Sequence, residues 1–209
     1  MPQCRRRAAV LAIVPAIGEI PVARRKQGSM PIHIALVRAI NVGGRNMVAM
    51  SDLRELLESL GFAGAKSLLQ SGNLIFQGDQ RTGAKLESLL ELETEKRFHV
   101  AVDYFVRTAE EWETIIARNP LPNEAERDPS HLVVVFLKKA PEAKDVQALQ
   151  AAISGPEMVR SDGKQLYVVY PAGIGTSKLT NTLIERKLGT RGTGRNWNTV
   201  LKLAALTQT

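Results

Sequence analysis

The chain of 209 residues is 44% hydrophobic, 23% charged and 5% aromatic, a composition typical of a globular protein with one large domain or two small ones. Cys4 is its single cysteine, which excludes a disulfide framework and a cysteine-based zinc site and is consistent with a cytoplasmic protein. Because no apolar run reaches the roughly 18 residues that a membrane helix needs, we expect no membrane partner.

The net charge of +7 is carried by the two ends of the chain. Residues 1–29 contain six basic residues and one acidic residue, and so do residues 177–209, which gives each segment a charge of +5. Residues 30–176 have a net charge of −3. We call residues 177–209 the basic C-terminal lobe. Its charge predicts a local site for an anion rather than a surface built wholly for nucleic acid.

Residues 1–29 differ from the remainder of the chain. Three arginines at residues 5–7, followed by an apolar stretch, are similar to the basic and apolar regions of a signal peptide. Positive charge returns at residues 24–26 before a small-residue cleavage site, which fits a signal peptide poorly. We therefore predict a disordered or mis-started leader with Met30 as the natural start, and we retain an export signal as the alternative.

From Met30 onward, strand and helix patterns alternate. Strands are predicted at residues 32–37, 65–69, 74–76 and 100–106, and helices at residues 51–60 and 82–97. This order is the split β-α-β arrangement of ferredoxin-like domains. A helix at residues 109–117 completes a first subdomain of residues 30–118, and the proline-rich residues 119–130 are predicted to form a linker.

The pattern then starts again within residues 131–209. Strands are predicted at residues 131–137, 157–160 and 165–170, and helices at residues 142–153 and 177–188. No apolar alternation marks a closing strand, and a polar motif followed by a last helix stands in its place. The predicted fold class is therefore α+β, with two ferredoxin-like subdomains, the second lacking its last strand and ending in a helix.

Polar motifs follow the predicted strands at several points and form the candidate ligand site. The densest is Thr193-Gly194-Arg195-Asn196-Trp197-Asn198-Thr199, which combines a guanidinium, two amides and an indole before an apolar helix. The glycine-rich segment at residues 171–178 precedes a helix start, where free N–H groups bind anions. The candidate ligand-binding residues are Arg38, Asn41, Gly43, Gly44, Gln70, Ser71, Asn73, Ser177, Lys178, Arg195, Asn196, Trp197 and Asn198.

Each motif also has a structural interpretation. Residues 70–73 fit a tight β-turn, residues 171–178 fit a capped strand-to-helix turn, and Asn196 could cap the last helix. Trp197 is compatible with the core as well as with a stacking wall for a ligand. The sequence alone leaves these alternatives open.

Several chemistries lack the residues they require. The three histidines, His33, His99 and His131, fall at separate predicted strands without metal-ligand spacing, so we predict no metal site and no cofactor. No Gly-x-Ser-x-Gly motif is present, and no pair of carboxylates indicates acid–base catalysis. Glu87 and Glu91, one helical turn apart, are interpreted as part of a solvated helix face. The catalytic residues, if there are any, stay unknown.

These motifs together resemble the family known as domain of unknown function 1697. The resemblance rests on Arg38 followed by Ile40-Asn41-Val42-Gly43-Gly44, on Gln70-Ser71-Gly72-Asn73, on Ser177-Lys178-Leu179-Thr180 and on Arg195-Asn196-Trp197-Asn198-Thr199. It covers essentially the whole chain apart from residues 1–29. It implies a two-part α+β fold with ferredoxin-like subdomains, and it implies no reaction.

The leading functional hypothesis is a cytoplasmic protein that binds a small anionic or nucleotide-like ligand between two α+β subdomains. One alternative is a nucleic-acid-binding module that uses the basic C-terminal lobe, and another is a metal-independent transferase or hydrolase. Under a fourth interpretation, the motif residues only hold the two subdomains together. Whether Arg195 faces a ligand or a subdomain interface separates these hypotheses.

Overall fold

The computed structural model describes residues 30–38, 40–41, 48–78 and 81–208. The predicted leader, residues 1–29, lies outside the described residues. Within them, eight strands and seven helices follow one another. The elements are β1 (Ile32–Arg38), α1 (Met50–Ser59), β2 (Ala63–Leu68), β3 (Asn73–Gln77), α2 (Gly83–Phe98), β4 (Asp103–Thr108), α3 (Ala109–Ala117), α4 (Pro122–Arg127), β5 (Leu132–Leu137), α5 (Ala143–Ala151), β6 (Met158–Asp162), β7 (Gln165–Val169), α6 (Asn181–Leu188), β8 (Gly192–Asn196) and α7 (Trp197–Leu206).

Two four-stranded antiparallel sheets divide the described chain into halves. The first sheet has the order β2-β3-β1-β4 and the second the order β6-β7-β5-β8. We call the part containing β1 to β4 and α1 to α3 the first half, and the part containing β5 to β8 and α5 to α7 the second half. The predicted α+β class, with a helix as the last element, is confirmed.

The prediction that the second half lacks its last strand is wrong. Strand β8 pairs antiparallel with β5 along its whole length, from Leu137 opposite Gly192 to Val133 opposite Asn196. The sequence pattern does not predict this strand, because its glycines and polar residues show no apolar alternation. Close packing accounts for Gly192, since a Cβ there would lie 2.9 Å from side-chain atoms of both Leu137 and Val135.

Two boundaries also differ from the predicted elements. Helix α6 begins at Asn181, not at residue 177, because the Thr180 side chain caps it by accepting a hydrogen bond from the Leu183 N–H at 3.2 Å. The short helix α4 lies within the segment predicted to be a linker.

A shared hydrophobic core joins the two halves. It combines the inward faces of both sheets with side chains of α3 and α7. Trp112 of α3 stacks on Phe136 of β5 with ring centroids 4.8 Å apart, and its Nε1 donates a hydrogen bond to the Val200 carbonyl at 3.0 Å. The opposite face of each sheet packs into a separate core with the helices of its own half. The central strands of the two sheets, β1 and β5, are therefore buried on both faces.

None of the described helices is both long enough and apolar enough to cross a membrane.

Candidate functional site

Arg195, the central residue of the predicted site, lies at the seam between the two halves. Its Nε donates to Asn73 Oδ1 at 2.5 Å, and its Nη1 donates to Thr193 Oγ1 at 2.9 Å and to the Gly194 carbonyl at 2.8 Å. Its Nη2 lies 3.1–3.4 Å from three backbone carbonyls of the first half, those of Val37, Ser71 and Gly72. All five guanidinium N–H groups therefore have protein acceptors available, and none is left for a ligand in this arrangement.

No carboxylate contacts the Arg195 guanidinium among the described residues, so neutral oxygens alone solvate its charge. Burial lowers the pKa of this group to about 10, and it stays protonated at neutral pH. This is the interface role that the fourth interpretation of the motif assigned to Arg195.

The predicted turn at residues 70–73 is shaped to receive Arg195. Asn73 is fully buried, and its Nδ2 donates to the Leu68 carbonyl at 2.9 Å and to Ser71 Oγ at 3.0 Å, which orients its Oδ1 toward the guanidinium. Gly72 has φ +71°, and a Cβ there would lie 2.7 Å from Ile40 Cγ2. A residue with a side chain would therefore be strained and would clash, so the turn requires glycine.

Arg38 also bridges the two halves. Its Nη2 lies 3.0 Å from Glu185 Oε2 of α6, and its Nη1 lies 3.3 Å from Asp103 Oδ2 at the start of β4. The same Asp103 carboxylate accepts two hydrogen bonds, at 2.7 and 2.9 Å, from Arg191 Nη1 of the second half. Two guanidiniums and two carboxylates thus form an ion-pair network across the seam, and Arg38 has protein partners on both sides.

Asn41 closes the loop that follows β1. Its Oδ1 accepts from the Val48 N–H at 2.9 Å, and its Nδ2 donates to the Val48 carbonyl at 2.8 Å. Its Nδ2 also lies 3.5 Å from the carbonyl of Gln70, whose side chain is exposed. The two loop glycines that we predicted for the site, Gly43 and Gly44, lie outside the described residues.

The remaining residues of the C-terminal motif begin helix α7. Asn196 is its N-cap, and its Oδ1 accepts from the Thr199 N–H at 3.0 Å and from Thr199 Oγ1 at 2.7 Å. Trp197 is 6% exposed and belongs to the shared core, so packing accounts for its indole. Asn198 is half-buried, and its side chain makes no hydrogen bond within the described part of the chain.

Ser177 and Lys178 lie apart from the Arg195 group. Ser177 Oγ accepts from the Leu179 N–H at 2.9 Å and donates to a Glu157 carboxylate oxygen. Lys178 is exposed and forms no ion pair with any described residue. The structure thus gathers the predicted residues of β1, the 70–73 turn and β8 at one seam, and it leaves the 171–178 segment elsewhere.

A second polar contact between the halves escaped the sequence reasoning. Lys138, which follows β5, places its Nζ 2.9 Å from Glu87 Oε2, 2.6 Å from Glu91 Oε1 and 2.5 Å from the Tyr104 carbonyl. Glu87 is 5% exposed and accepts from the Val106 N–H at 2.9 Å, and Glu91 accepts from the Tyr104 N–H at the same distance. The predicted solvated helix face is therefore wrong for Glu87, because this carboxylate caps the edge of β4.

A cavity of about 330 Å³, which we call the junction cavity, opens between the first half and the β6–β7 turn. Its cationic lining residues are Arg107 of β4, Arg118 after α3 and Lys164 of the turn. Its two carboxylates already accept hydrogen bonds from protein groups. Asp162 Oδ1 accepts from Arg118 Nη2 at 2.7 Å, and Glu111 Oε2 accepts from the Thr108 N–H at 2.8 Å in the capping box of α3. Arg107 lies 3.6 Å from Glu87 Oε1, so Lys164 is the one cation of the lining that has no ion pair among the described residues.

Two buried polar side chains face this cavity. Gln165, the first residue of β7, is 9% exposed, and its side-chain amide makes no hydrogen bond within the described residues. Arg107 is 5% exposed and donates to the carbonyls of Val106 and Leu137 at 2.8 and 3.0 Å, which leaves its Nε without a hydrogen bond among the described residues. Burial lowers the pKa of Arg107, and nearby Glu87 opposes that shift.

Sequence reasoning missed these residues because they come from different elements, brought together only by the docking of the two halves. One signal was available. Gln165 is a polar residue at the start of an otherwise apolar strand, Leu166-Tyr167-Val168-Val169, directly after the Gly163-Lys164 turn.

No group of three or more His, Cys, Asp or Glu side chains that could hold a metal ion occurs among the described residues.

Comparisons with known proteins agree with the resemblance seen in the motifs. A family model described as "Protein of unknown function (DUF1697)" matches residues 30–167. Among solved structures, the conserved bacterial protein SP0830 from Streptococcus pneumoniae is similar, with a TM-score of 0.67 and 22% sequence identity over 85% of this chain and 98% of that chain. At this identity, the likeness shows the fold alone. No curated protein sequence matches the chain.

Proposed function

The chain belongs to the DUF1697 family of proteins of unknown function, and from that premise we propose that it binds a small organic anion in the junction cavity between its halves. The observation that carries this proposal is Gln165. Its side chain lines the cavity and makes no hydrogen bond within the described residues, so its N–H donor and its oxygen are both available to a ligand. Beside Gln165 the lining has three cations and two carboxylates, and Lys164 forms no ion pair with any described residue, which favours an anion as the ligand.

The donors available to such an anion come from three directions. The Lys164 ammonium is exposed and forms no ion pair with any described residue. Arg107 contributes its Nε, and the Gln165 amide contributes an N–H donor together with an oxygen acceptor. Gly83, the first residue of α2, also lines the cavity, and no side chain of Thr82 caps that helix. The unsatisfied N–H groups of a helix start add to the attraction for an anion.

The size of the cavity narrows the ligand class. About 330 Å³ is near the lower limit of ligand pockets, which favours a small anion over the nucleotide-like ligand of the original hypothesis. A carboxylate or phosphate group that also carries a hydroxyl would match both the donors and the Gln165 oxygen. The one hydroxyl side chain of the lining, Thr114, donates to the Glu110 carbonyl at 2.9 Å with no described general base beside it, so the lining favours binding over the transferase or hydrolase alternative.

We infer that each half is a ferredoxin-like split β-α-β subdomain, spanning residues 30–118 and 131–209. The element order β-α-β-β-α-β in each half and the strand orders 2-3-1-4 and 6-7-5-8 support this inference. Under it, the ligand bridges the last strand of one subdomain and the central hairpin of the other.

The test is isothermal titration calorimetry with inorganic phosphate and with glycolate, which separate the two anion classes. We expect saturable binding of at least one probe to the native chain. In Lys164→Gln, the affinity should fall by roughly tenfold or more, because a hydrogen bond to a charged group contributes about 1.5–3 kcal/mol. Lys202→Gln removes an equally exposed charge from α7 and should leave the affinity unchanged.

A second variant, Gln165→Leu, replaces the buried amide by an apolar group of similar size. It should weaken anion binding and leave stability nearly unchanged, because the Gln165 amide makes no hydrogen bond within the described residues that the substitution would remove. If the native chain binds neither probe, or if both cavity variants bind as the native chain does, the proposal is wrong.

A further inference from the structure

A second cavity, of about 470 Å³, lies wholly within the second half on the helix-covered face of its sheet. We call it the β5–β8 cavity. Val133 and Val135 of β5 form its floor, and Gly194 of β8, opposite Val135, adds no side chain to fill it. Helix α6 starts only at Asn181, so the end of the sheet is covered by the turn around Gly173 and not by a helix.

One wall of this cavity is an imidazole with a fixed orientation. His131 Nδ1 lies 2.5 Å from Asp128 Oδ2, and the other oxygen of that carboxylate accepts from Ser130 Oγ at 2.5 Å. These two hydrogen bonds lower the pKa of Asp128 to about 2, so it is ionised at neutral pH and accepts a hydrogen bond from the Nδ1–H group. In the neutral imidazole, Nδ1 then carries the hydrogen that it donates to Asp128. Nε2 carries none, so its lone pair can accept a hydrogen bond. Nε2 lies 3.7 Å from the position of a Cβ on Gly173, which places it on the cavity side.

Two asparagines at the rim have one polar atom each left for a ligand. Asn196 uses its Oδ1 to cap α7, so its Nδ2 is the available group, and it makes no hydrogen bond within the described residues. Asn181 uses its Nδ2 on the Gly192 carbonyl at 3.2 Å, so its Oδ1 is available. Tyr170 also lines the cavity, but its hydroxyl already donates to the Leu179 carbonyl at 3.1 Å. The rim thus presents one donor and two acceptors.

The lining of this cavity has no charged side chain, which excludes an anion such as the one proposed for the junction cavity. No Asp, Glu, Lys or Arg is among the residues that line the β5–β8 cavity. A charged ligand would lose its hydration without gaining a counter-ion there. An uncharged molecule with an apolar body would bury that body against the valines.

We propose that the β5–β8 cavity binds a small uncharged hydrophobic molecule bearing a hydroxyl group, which donates to His131 Nε2 and accepts from Asn196 Nδ2. This site does not rest on the anion function proposed above, since the two cavities share no lining residue.

The test compares phenol with toluene, which has a similar shape and no hydroxyl, by ligand-observed NMR titration of the full chain. We expect the native chain to bind phenol about tenfold more tightly, because two hydrogen bonds are made that toluene cannot make. His131→Phe should remove that preference. In Asn196→Asp the carboxylate keeps the helix cap and removes the amide donor, so the phenol oxygen loses that hydrogen bond.

Asn198→Asp is the matched control, since it makes the same charge change two residues further along α7, outside the cavity. It should keep the preference for phenol. Equal binding of phenol and toluene by the native chain, or an undiminished preference in His131→Phe, would overturn the proposal. Neither result bears on phosphate or glycolate binding in the junction cavity.

Discussion

Replacing Arg195 by alanine tests directly whether this residue holds the two halves together. The change removes six hydrogen bonds, four of which cross to the first half. We expect the free energy of unfolding to fall while the affinity for an anion in the junction cavity is unchanged. The second expectation holds because Arg195 is not among the residues that line that cavity.

The magnitude follows from what the substitution leaves behind. Asn73 is fully buried, so its Oδ1 would lose its described partner, which costs about 1–3 kcal/mol. The exposed edge of the seam lets water reach some of the backbone carbonyls, so we count only one further charged hydrogen bond, at about 1.5–3 kcal/mol. The expected loss is therefore about 2.5–6 kcal/mol, a large fraction of the stability of a typical domain.

Urea denaturation followed by circular dichroism measures this loss. Arg186→Ala serves as the control, because that arginine is exposed on α6 without a described ion pair, and its removal should change stability by about 0.5 kcal/mol or less. Combining Arg195→Ala with Asn73→Ala should give a coupling energy of about 1–3 kcal/mol in a double-mutant cycle. A loss below about 1 kcal/mol for Arg195→Ala would refute the interface role.

Three further predictions concern the turn, the His131 partner and the basic C-terminal lobe. Gly72→Ala should destabilise the chain by about 2 kcal/mol more than Gly61→Ala in the same urea assay, since both have positive φ but nothing lies within 4 Å of a Cβ at Gly61. Equal losses would contradict the described packing. The depressed pKa of Asp128 gives a stability contribution that is complete above its unfolded-state pKa of about 4 and lost as the pH falls toward 2, so acid unfolding of Asp128→Asn should have a shallower pH dependence there. A slope identical to that of the native chain would be the contrary result. Because Arg191 and Arg195 are engaged at the seam, four basic side chains of the lobe remain for nucleic acid, and the log–log salt slope of any DNA binding through it should be no steeper than about −4. A steeper slope in a fluorescence-anisotropy titration would require other basic residues.

Much of the fold follows from short-range pattern in the sequence. Strands such as β5, with six successive buried apolar residues, and helices such as α1, with its buried leucine stripe, are set by hydrophobic periodicity. Strand β8 could not be found in this way, because glycine and polar residues have little intrinsic strand propensity. Pairing with β5 selects it, and that pairing exists only after the second half has folded.

The candidate site also separates what the sequence determines from what the tertiary structure decides. The sequence by itself determined which polar residues stand at the strand ends, and Asn73 and Arg195 do meet there. Only the tertiary structure decided what they do. An arginine near the end of a strand looks the same in a sequence whether it meets a ligand or a neighbouring subdomain, because its role depends on which acceptors lie around it. Gln165 and Arg107, far apart in sequence, line one cavity only because the two halves dock, and no local pattern encodes that proximity.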